Sequence, residues 1–235
     1  MRYPYKYAMP VDPKVLEHDF ESHELVDDIP SFVKLLKSVN PDTYGTIATE
    51  VNKFTYELWG HVEVRKGISL RDREKLLPVF KEFSRLSEEY NLKKPTTLYR
   101  GVNIPQFYNK LLEESFGDQV GEIDLDQYKK VKDVFEGLAY GLRSWSDYEH
   151  TAESFTDFKL ESIIFILKNP SPHIVLNGLA LHKLNRKVKS EVKPVDIDEF
   201  IVQLKNPKVL SAKRLKIEDD WGAEHYYWKV LIDEG

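Results

Sequence analysis

At Pro95 the spacing of apolar side chains in this sequence changes period, and that change dictates the class of fold. Before it, apolar residues recur in steps of three and four. Within 42–60, Ile47, Val51, Phe54 and Leu58 fall on one helix stripe. A second stripe runs through Leu76, Phe80, Phe83 and Tyr90. It opens at Ser69 with Asp72 three residues on, a capping-box-like start with Asp in place of Glu, and Pro78 inside it predicts a kink or a restart. A shorter helix is expected over 32–39, after Pro30. Beyond Pro95 come short β-rich runs separated by turns, at 96–100, 138–145, 162–167, 200–204, 209–215 and 226–232. The run at 162–167 is apolar throughout and bounded by Asn169-Pro170, as suits a buried central strand. Helices are expected between them at 105–114, 124–136 and 147–158. Helices first and mostly antiparallel strands second make an α+β protein: a helical region over 1–94 packed on a core over 95–235, as one compact unit without repeats or a linker.

Composition narrows the chemistry. The chain has 235 residues and no cysteine, which excludes disulfides, thiolate metal sites and cysteine nucleophiles. No apolar run is long enough to span a bilayer and the first residues lack a signal-type apolar stretch, so the expected location is cytoplasmic, with no membrane partner. A net charge of −5 gives no global attraction to a polyanion, and no stable nucleic-acid complex is expected. The one basic stretch, 182–193, reads as a solvated loop or as an anion-binding segment. Dinucleotide-fold, P-loop, hydrolase-elbow and zincin motifs are absent, and the seven histidines include no pair at ligand spacing, so no metal is expected.

Three strand-associated elements carry what chemistry remains. Leu98-Tyr99-Arg100-Gly101 puts an arginine at a strand end beside a glycine; a guanidinium offers forked donors to a phosphate, and glycine allows close approach to the backbone. In Arg143-Ser144-Trp145-Ser146 the two serines point to one face of a strand while Trp145 faces the other. Glu199 stands where polar sequence gives way to the apolar run 200–204, a carboxylate at the mouth of a sheet.

Taken in order, these elements resemble the mono-ADP-ribosyltransferases of the arginine-serine-glutamate class, related to cholera-toxin-like and clostridial toxins and to the Alt and Mod enzymes that tailed phages send into bacteria. LYRG looks like the arginine strand, SWSDYEHTAESF like the serine motif and following helix, and DEFIVQL with the two later strands like the glutamate strand and those that close the fold. The resemblance covers roughly 95–235. It implies two packed, mostly antiparallel sheets around an NAD cleft and no metal. The resemblance further implies NAD as the co-substrate, release of nicotinamide, and a macromolecular acceptor, a protein side chain (arginine among them) or RNA, in the cytoplasm of a bacterial host. By this resemblance Arg100 contacts the NAD phosphates, Ser144 helps hold Glu199 and the ribose, and Glu199 bonds the ribose 2′-hydroxyl and is the catalytic carboxylate. Tyr99, Gly101, Ser146 and Phe155 complete the NAD-binding set. The acceptor would be met by the segment 185–198, with Arg186, Lys187, Lys189 and Lys193.

One position departs from the pattern. Two residues before the catalytic glutamate the resembled enzymes carry Glu or Gln, whereas this chain has Ile197 between Asp196 and Asp198. Either Asp196 or Asp198 orients the acceptor, or the acceptor is not arginine. Glu191 is a second register for the catalytic residue. An inactive relative that binds NAD or a partner, and an NAD glycohydrolase, are the alternative functions.

Overall fold

The structure, a computed structural model, describes residues 29–49, 51–53, 55, 74–156, 161–190, 195–218 and 224–235. Phe54, Leu58, Ser69, Asp72, Glu191, Lys193 and the end of the helix expected at 147–158 lie outside the described residues. In chain order the elements are α1 (Ile29–Lys37), α2 (Leu77–Leu86), β1 (Thr97–Asn103), α3 (Asn109–Phe116), β2 (Gly121–Ile123), α4 (Lys129–Ala139), β3 (Gly141–Ser146), α5 (Glu149–Glu153), β4 (Ser162–Lys168), β5 (Ile174–Asn177), α6 (Gly178–Lys187), β6 (Glu199–Leu204), β7 (Pro207–Glu218) and β8 (Glu224–Glu234).

Local chemistry explains most boundaries. Pro78 lies in the first turn of α2, where its missing N–H would have had no helical partner anyway, so it restarts the helix rather than kinking it. Val131, Phe135 and Ala139 recur every four residues and bury one face of α4. Gly141, at φ +88°, then turns the chain directly into β3. The strand therefore starts at Gly141 and not at 138, because Leu138 and Ala139 complete the helix.

The basic stretch 182–193 is also corrected: through Lys187 it is helix, not a solvated loop. Ala180, Leu181 and Leu184 are buried on one side of α6, and the charges occupy only its outer face. Asn177 caps this helix, its side-chain oxygen accepting from the amides of Leu179 (3.0 Å) and Ala180 (3.4 Å). Neither β2 nor β5 is signalled by local alternation.

The strands form one ladder in the order β2-β7-β8-β4-β1-β3-β6-β5, antiparallel throughout except for the parallel β4–β8 pair. The join between β1 and β3 is a single residue pair, Tyr99↔Ser146, whereas β1 pairs with β4 along its whole length. The sheet is thus two halves, β2-β7-β8-β4-β1 and β3-β6-β5, touching at one point. Leu98, Phe165, Trp228 and Val230 of the first half share one core with Trp145, Phe200, Val202 and Leu204 of the second, so the two mostly antiparallel layers pack on each other as expected. Phe116 and Phe135 pack edge-on against Trp228, each with ring centres 5.1 Å from it. The other face of β3-β6-β5, through Leu142, Ile201 and Leu176, is buried against Leu36, Val79, Phe80 and Phe83 of the N-terminal helices and Leu181 and Leu184 of α6.

Candidate active site

Register brings Tyr99, next to Arg100, together with the serine and glutamate elements at the touching point of the two halves, whereas Arg100 itself, paired with Phe165, falls on the opposite face of β1. Tyr99 of β1 pairs with Ser146 of β3, and Ser146 pairs with Glu199 of β6. Directly paired residues on neighbouring strands point to the same face, so Tyr99, Ser146 and Glu199 form a row across three strands, roughly 10 Å from end to end. Gly101 and Ser144 share that face by alternation, while Trp145 is buried on the other. The row lies between two coverings: α5, packed on β1, and the N-terminal helices, packed on Leu142, Ile201 and Leu176.

Arg100 does what the missing ladder does not. Its Nη1 donates to the carbonyl of Ser144 at 2.7 Å, bridging β1 to β3 beside the single backbone pair. The guanidinium is thereby held at the split, half-buried, with its charge beside the serine strand. The partner of Glu199 in the ladder is Ser146; Ser144 stands one pleat further along, opposite Ile201. Ser146 is buried and its hydroxyl oxygen accepts from the Tyr148 amide at 3.1 Å, which fixes the rotor and directs its own hydrogen elsewhere.

Glu199 is half-buried and oriented by backbone. Its Oε2 accepts from the Asp196 amide at 2.9 Å, and its own amide donates to the Asp196 carbonyl at 3.2 Å, closing a turn over 196–199. Ile197 and Asp198 are the central residues of that turn; Ile197 is 39% exposed. Asp196 is exposed and Asp198 half-buried.

Two glycines make these placements possible, and neither does so by admitting a ligand. A Cβ on Gly101 would stand 1.9 Å from the Ala152 carbonyl of α5, so that glycine serves helix–strand packing. A Cβ on Gly178 would stand 2.1 Å from the Asp196 carbonyl and 2.6 Å from that of Glu199, so the turn carrying Glu199 rests directly on the first residue of α6.

Sequence reasoning missed Gly178, which no local pattern marks, and also Lys93. Lys93 forms an ion pair with Asp147, next to Ser146, and lies 5.2 Å from the ring centre of Tyr148. Its backbone carbonyl accepts from Asn177 Nδ2 at 3.4 Å, and Asn91 Oδ1 accepts from the same group at 3.0 Å. Phe155 follows α5 and is 52% exposed. Of the basic residues in 185–198, Arg186 and Lys189 are exposed and Lys187 pairs with Glu89 at 3.5 Å. A surface groove lined by Lys81, Arg85, His173, Gln203 and Lys205 lies at the opposite end of β6 and contains none of the candidate residues. Among the described residues no group of three or more His, Cys, Asp or Glu could hold a metal ion, and no helix is long and apolar enough to cross a membrane.

No protein-family model and no curated protein matches this sequence. Among solved structures, the chain is similar to the enzymatic component C2-I of the C2-toxin from Clostridium botulinum. The pH 6.1 form gives a TM-score of 0.35 at 10% identity, covering 92% of this chain and 48% of that one. The pH 3.0 form gives 0.34 at 11%, covering 90% and 45%. This chain spans about half the length of those toxin chains. At such scores the likeness assigns neither a fold family nor an activity.

Proposed function

We propose that this chain is an NAD-dependent mono-ADP-ribosyltransferase that acts on a macromolecular acceptor, a host protein or RNA. The observation that supports the reading is the row Tyr99–Ser146–Glu199 with Arg100 bridging the split beside it. The donor set suits NAD as a substrate: a forked cation for the pyrophosphate, and a hydroxyl and a carboxylate for the nicotinamide-side ribose. Breaking the bond between C1′ and the nicotinamide nitrogen sends its electron pair to the leaving group, which departs neutral, and leaves oxocarbenium character at C1′. A carboxylate fixed in advance stabilises that growing positive charge without reorganising, and the Asp196 amide holds Glu199 in this way. The acceptor nucleophile then bonds to C1′ and gives up its proton. Glu199 is the catalytic residue. Arg100, Tyr99, Ser144, Ser146 and Phe155 form the NAD-binding set, Gly101 being occupied by its packing against the Ala152 carbonyl, and Asp196 or Asp198 orients the acceptor.

A second reading is favoured by one observation. Ile197 is apolar and 39% exposed where an acceptor-orienting Glu or Gln would stand. With water as the acceptor the same site is an NAD glycohydrolase.

Incubation with NAD labelled in the ADP-ribose half, in the presence of bacterial lysate, separates these readings. Label on protein or RNA means transfer, free ADP-ribose alone means hydrolysis, and intact NAD refutes both. In Glu199→Gln, folding and NAD binding are retained while turnover falls about 100-fold, a barrier increase of roughly 3 kcal/mol. Full activity in that variant transfers the role to Glu191.

A further inference from the structure

The pair Ser146↔Glu199 stands at the open end of its ladder. Ser146 is the last residue of β3 and Glu199 the first of β6, and both strands meet turns there. A terminal pair has a ladder neighbour on one side alone, so it opens more readily than the pairs behind it. Where its two side chains act together, something besides the ladder has to hold them.

Asn177, the last residue of β5, is placed to do so. It is 3% exposed and pairs with Phe200, next to Glu199. Its amide makes four hydrogen bonds, the full complement of the group. Oδ1 accepts from the amides of Leu179 at 3.0 Å and Ala180 at 3.4 Å, while Nδ2 donates to Asn91 Oδ1 at 3.0 Å and to the Lys93 carbonyl at 3.4 Å. Backbone N–H groups on one side and a backbone carbonyl on the other admit a single orientation of this amide. Aspartate would cap α6 equally well and has no hydrogen to donate, so the second pair of bonds is what the amide adds.

Each half of the amide reaches one member of the terminal pair. Through Oδ1 it fixes the first turn of α6, where Gly178 lies against the carbonyls of Asp196 and Glu199. Through Nδ2 it fixes the backbone of Lys93, whose ammonium pairs with Asp147, the residue after Ser146, and stands 5.7 Å from the ring centre of Phe200. Contacts and chain together close a ring around the open end, through Asn177, Lys93, Asp147, Ser146, Glu199 and Gly178.

We propose that Asn177 is a positioning residue that fixes the separation of Ser146 from Glu199. The inference rests on the reading of this row as an NAD-cleaving site, and it holds whatever the acceptor is. Asn177 is buried and its amide has no bond left for a ligand. Its loss therefore disturbs the alignment of Glu199 with bound NAD more than NAD binding, to which Arg100, Tyr99 and Phe155 contribute unchanged.

The test compares full-length Asn177→Asp, Lys93→Met and Asp124→Ala. Asn177→Asp keeps the cap and the shape and removes both donors. Lys93→Met cuts the link to Asp147 at a half-buried position and covers the case in which Asn177→Asp does not fold. Asp124 is exposed and accepts from the Asp126 amide at 3.1 Å, so its variant controls for the loss of a local hydrogen bond away from the row. The kcat and KM for NAD cleavage are measured on each, with amide exchange at Tyr148, Glu199 and Phe165. In the first two variants kcat falls about tenfold while KM stays within about twofold. Exchange quickens at Tyr148 and Glu199, whose amides close the two turns, and not at Phe165 in β4; Asp124→Ala changes none of these. A kcat within about twofold of wild type in folded Asn177→Asp, or in Lys93→Met where the former does not fold, overturns the assignment, as does a lower kcat without quicker exchange at Tyr148 and Glu199. Wild-type protein that leaves NAD intact overturns the NAD-cleaving reading instead, and the exchange comparison then decides whether Asn177 holds the pair.

Discussion

Replacing Gly178 with alanine is the sharpest test of how Glu199 is placed. The added Cβ would lie 2.1 Å from the Asp196 carbonyl oxygen and 2.6 Å from that of Glu199, where ordinary contact begins at 3.4 Å. The shortfalls, 3.4 − 2.1 and 3.4 − 2.6, are about 1.3 Å and about 0.8 Å. Both neighbours are backbone, so no side chain can rotate aside and the turn itself must lift. Alanine is otherwise welcome at this site, since Gly178 opens α6 outside the left-handed region, and it returns roughly 0.5–1 kcal/mol of helix propensity. Against an overpacking cost of about 1–3 kcal/mol, the net loss is about 0–2.5 kcal/mol, or up to roughly 10 °C in Tm for a chain of this size. The effect on chemistry is larger, because a displacement of about 1 Å at a catalytic carboxylate costs on the order of 100-fold in rate. NAD turnover and thermal unfolding are measured together, with Gly45→Ala as the control. Its Cβ would stand 3.2 Å from Val188 Cβ and 3.4 Å from Cγ1, away from the turn that carries Glu199, so turnover should stay near wild type even if stability falls by about 1 kcal/mol. A folded Gly178→Ala protein with turnover within about twofold of wild type would refute the idea that this contact positions Glu199.

Three further outcomes are expected. Arg100→Lys keeps the charge but loses the fork and the 2.7 Å bond to the Ser144 carbonyl, so NAD affinity by calorimetry weakens by about tenfold or more; unchanged affinity removes Arg100 from the site. Glu161→Ala strands Arg214, which is 2% exposed and donates to Glu161 Oε1 at 3.0 Å, and chemical unfolding should register a loss of about 3–5 kcal/mol without a change in KM for NAD. Tyr44 has its pKa raised by burial, so its neutral form is the one the fold prefers. Its contribution is complete below the unfolded value of about 10 and is lost as pH rises from there towards the folded value. Tyr44→Phe should therefore flatten the alkaline limb of stability above about pH 10, and an unchanged limb would contradict the burial argument.

Much of the architecture was legible before any coordinates. The period change at Pro95 separates the N-terminal helices from the β-rich core, and the apolar runs at 162–167 and 200–204 became β4 and β6 within a residue. Arg100, Ser144, Ser146 and Glu199 could be named from residue type, but only Ser146 and Glu199 stand at strand ends; β1 runs on to Asn103, so Arg100, like Ser144, lies inside its strand. Local pattern failed where charge density hid apolar spacing, as in α6, and where a helix ran up to a glycine, as at Gly141.

What the linear order settled was which segments bury a face and which residues carry chemistry, since both depend on neighbours a few positions apart. Only the tertiary structure decided that Ser146 rather than Ser144 stands opposite Glu199, that Arg100 bridges a split with one backbone pair, and that Asn52 meets Ser190 across 138 positions of chain. It also gave Gly101 and Gly178 their purpose, through carbonyls of Ala152 and Asp196 that lie 51 and 18 positions away. Strand register and backbone contact distance are set by how distant faces fit when they close on each other, and no periodicity of three, four or two residues carries that information.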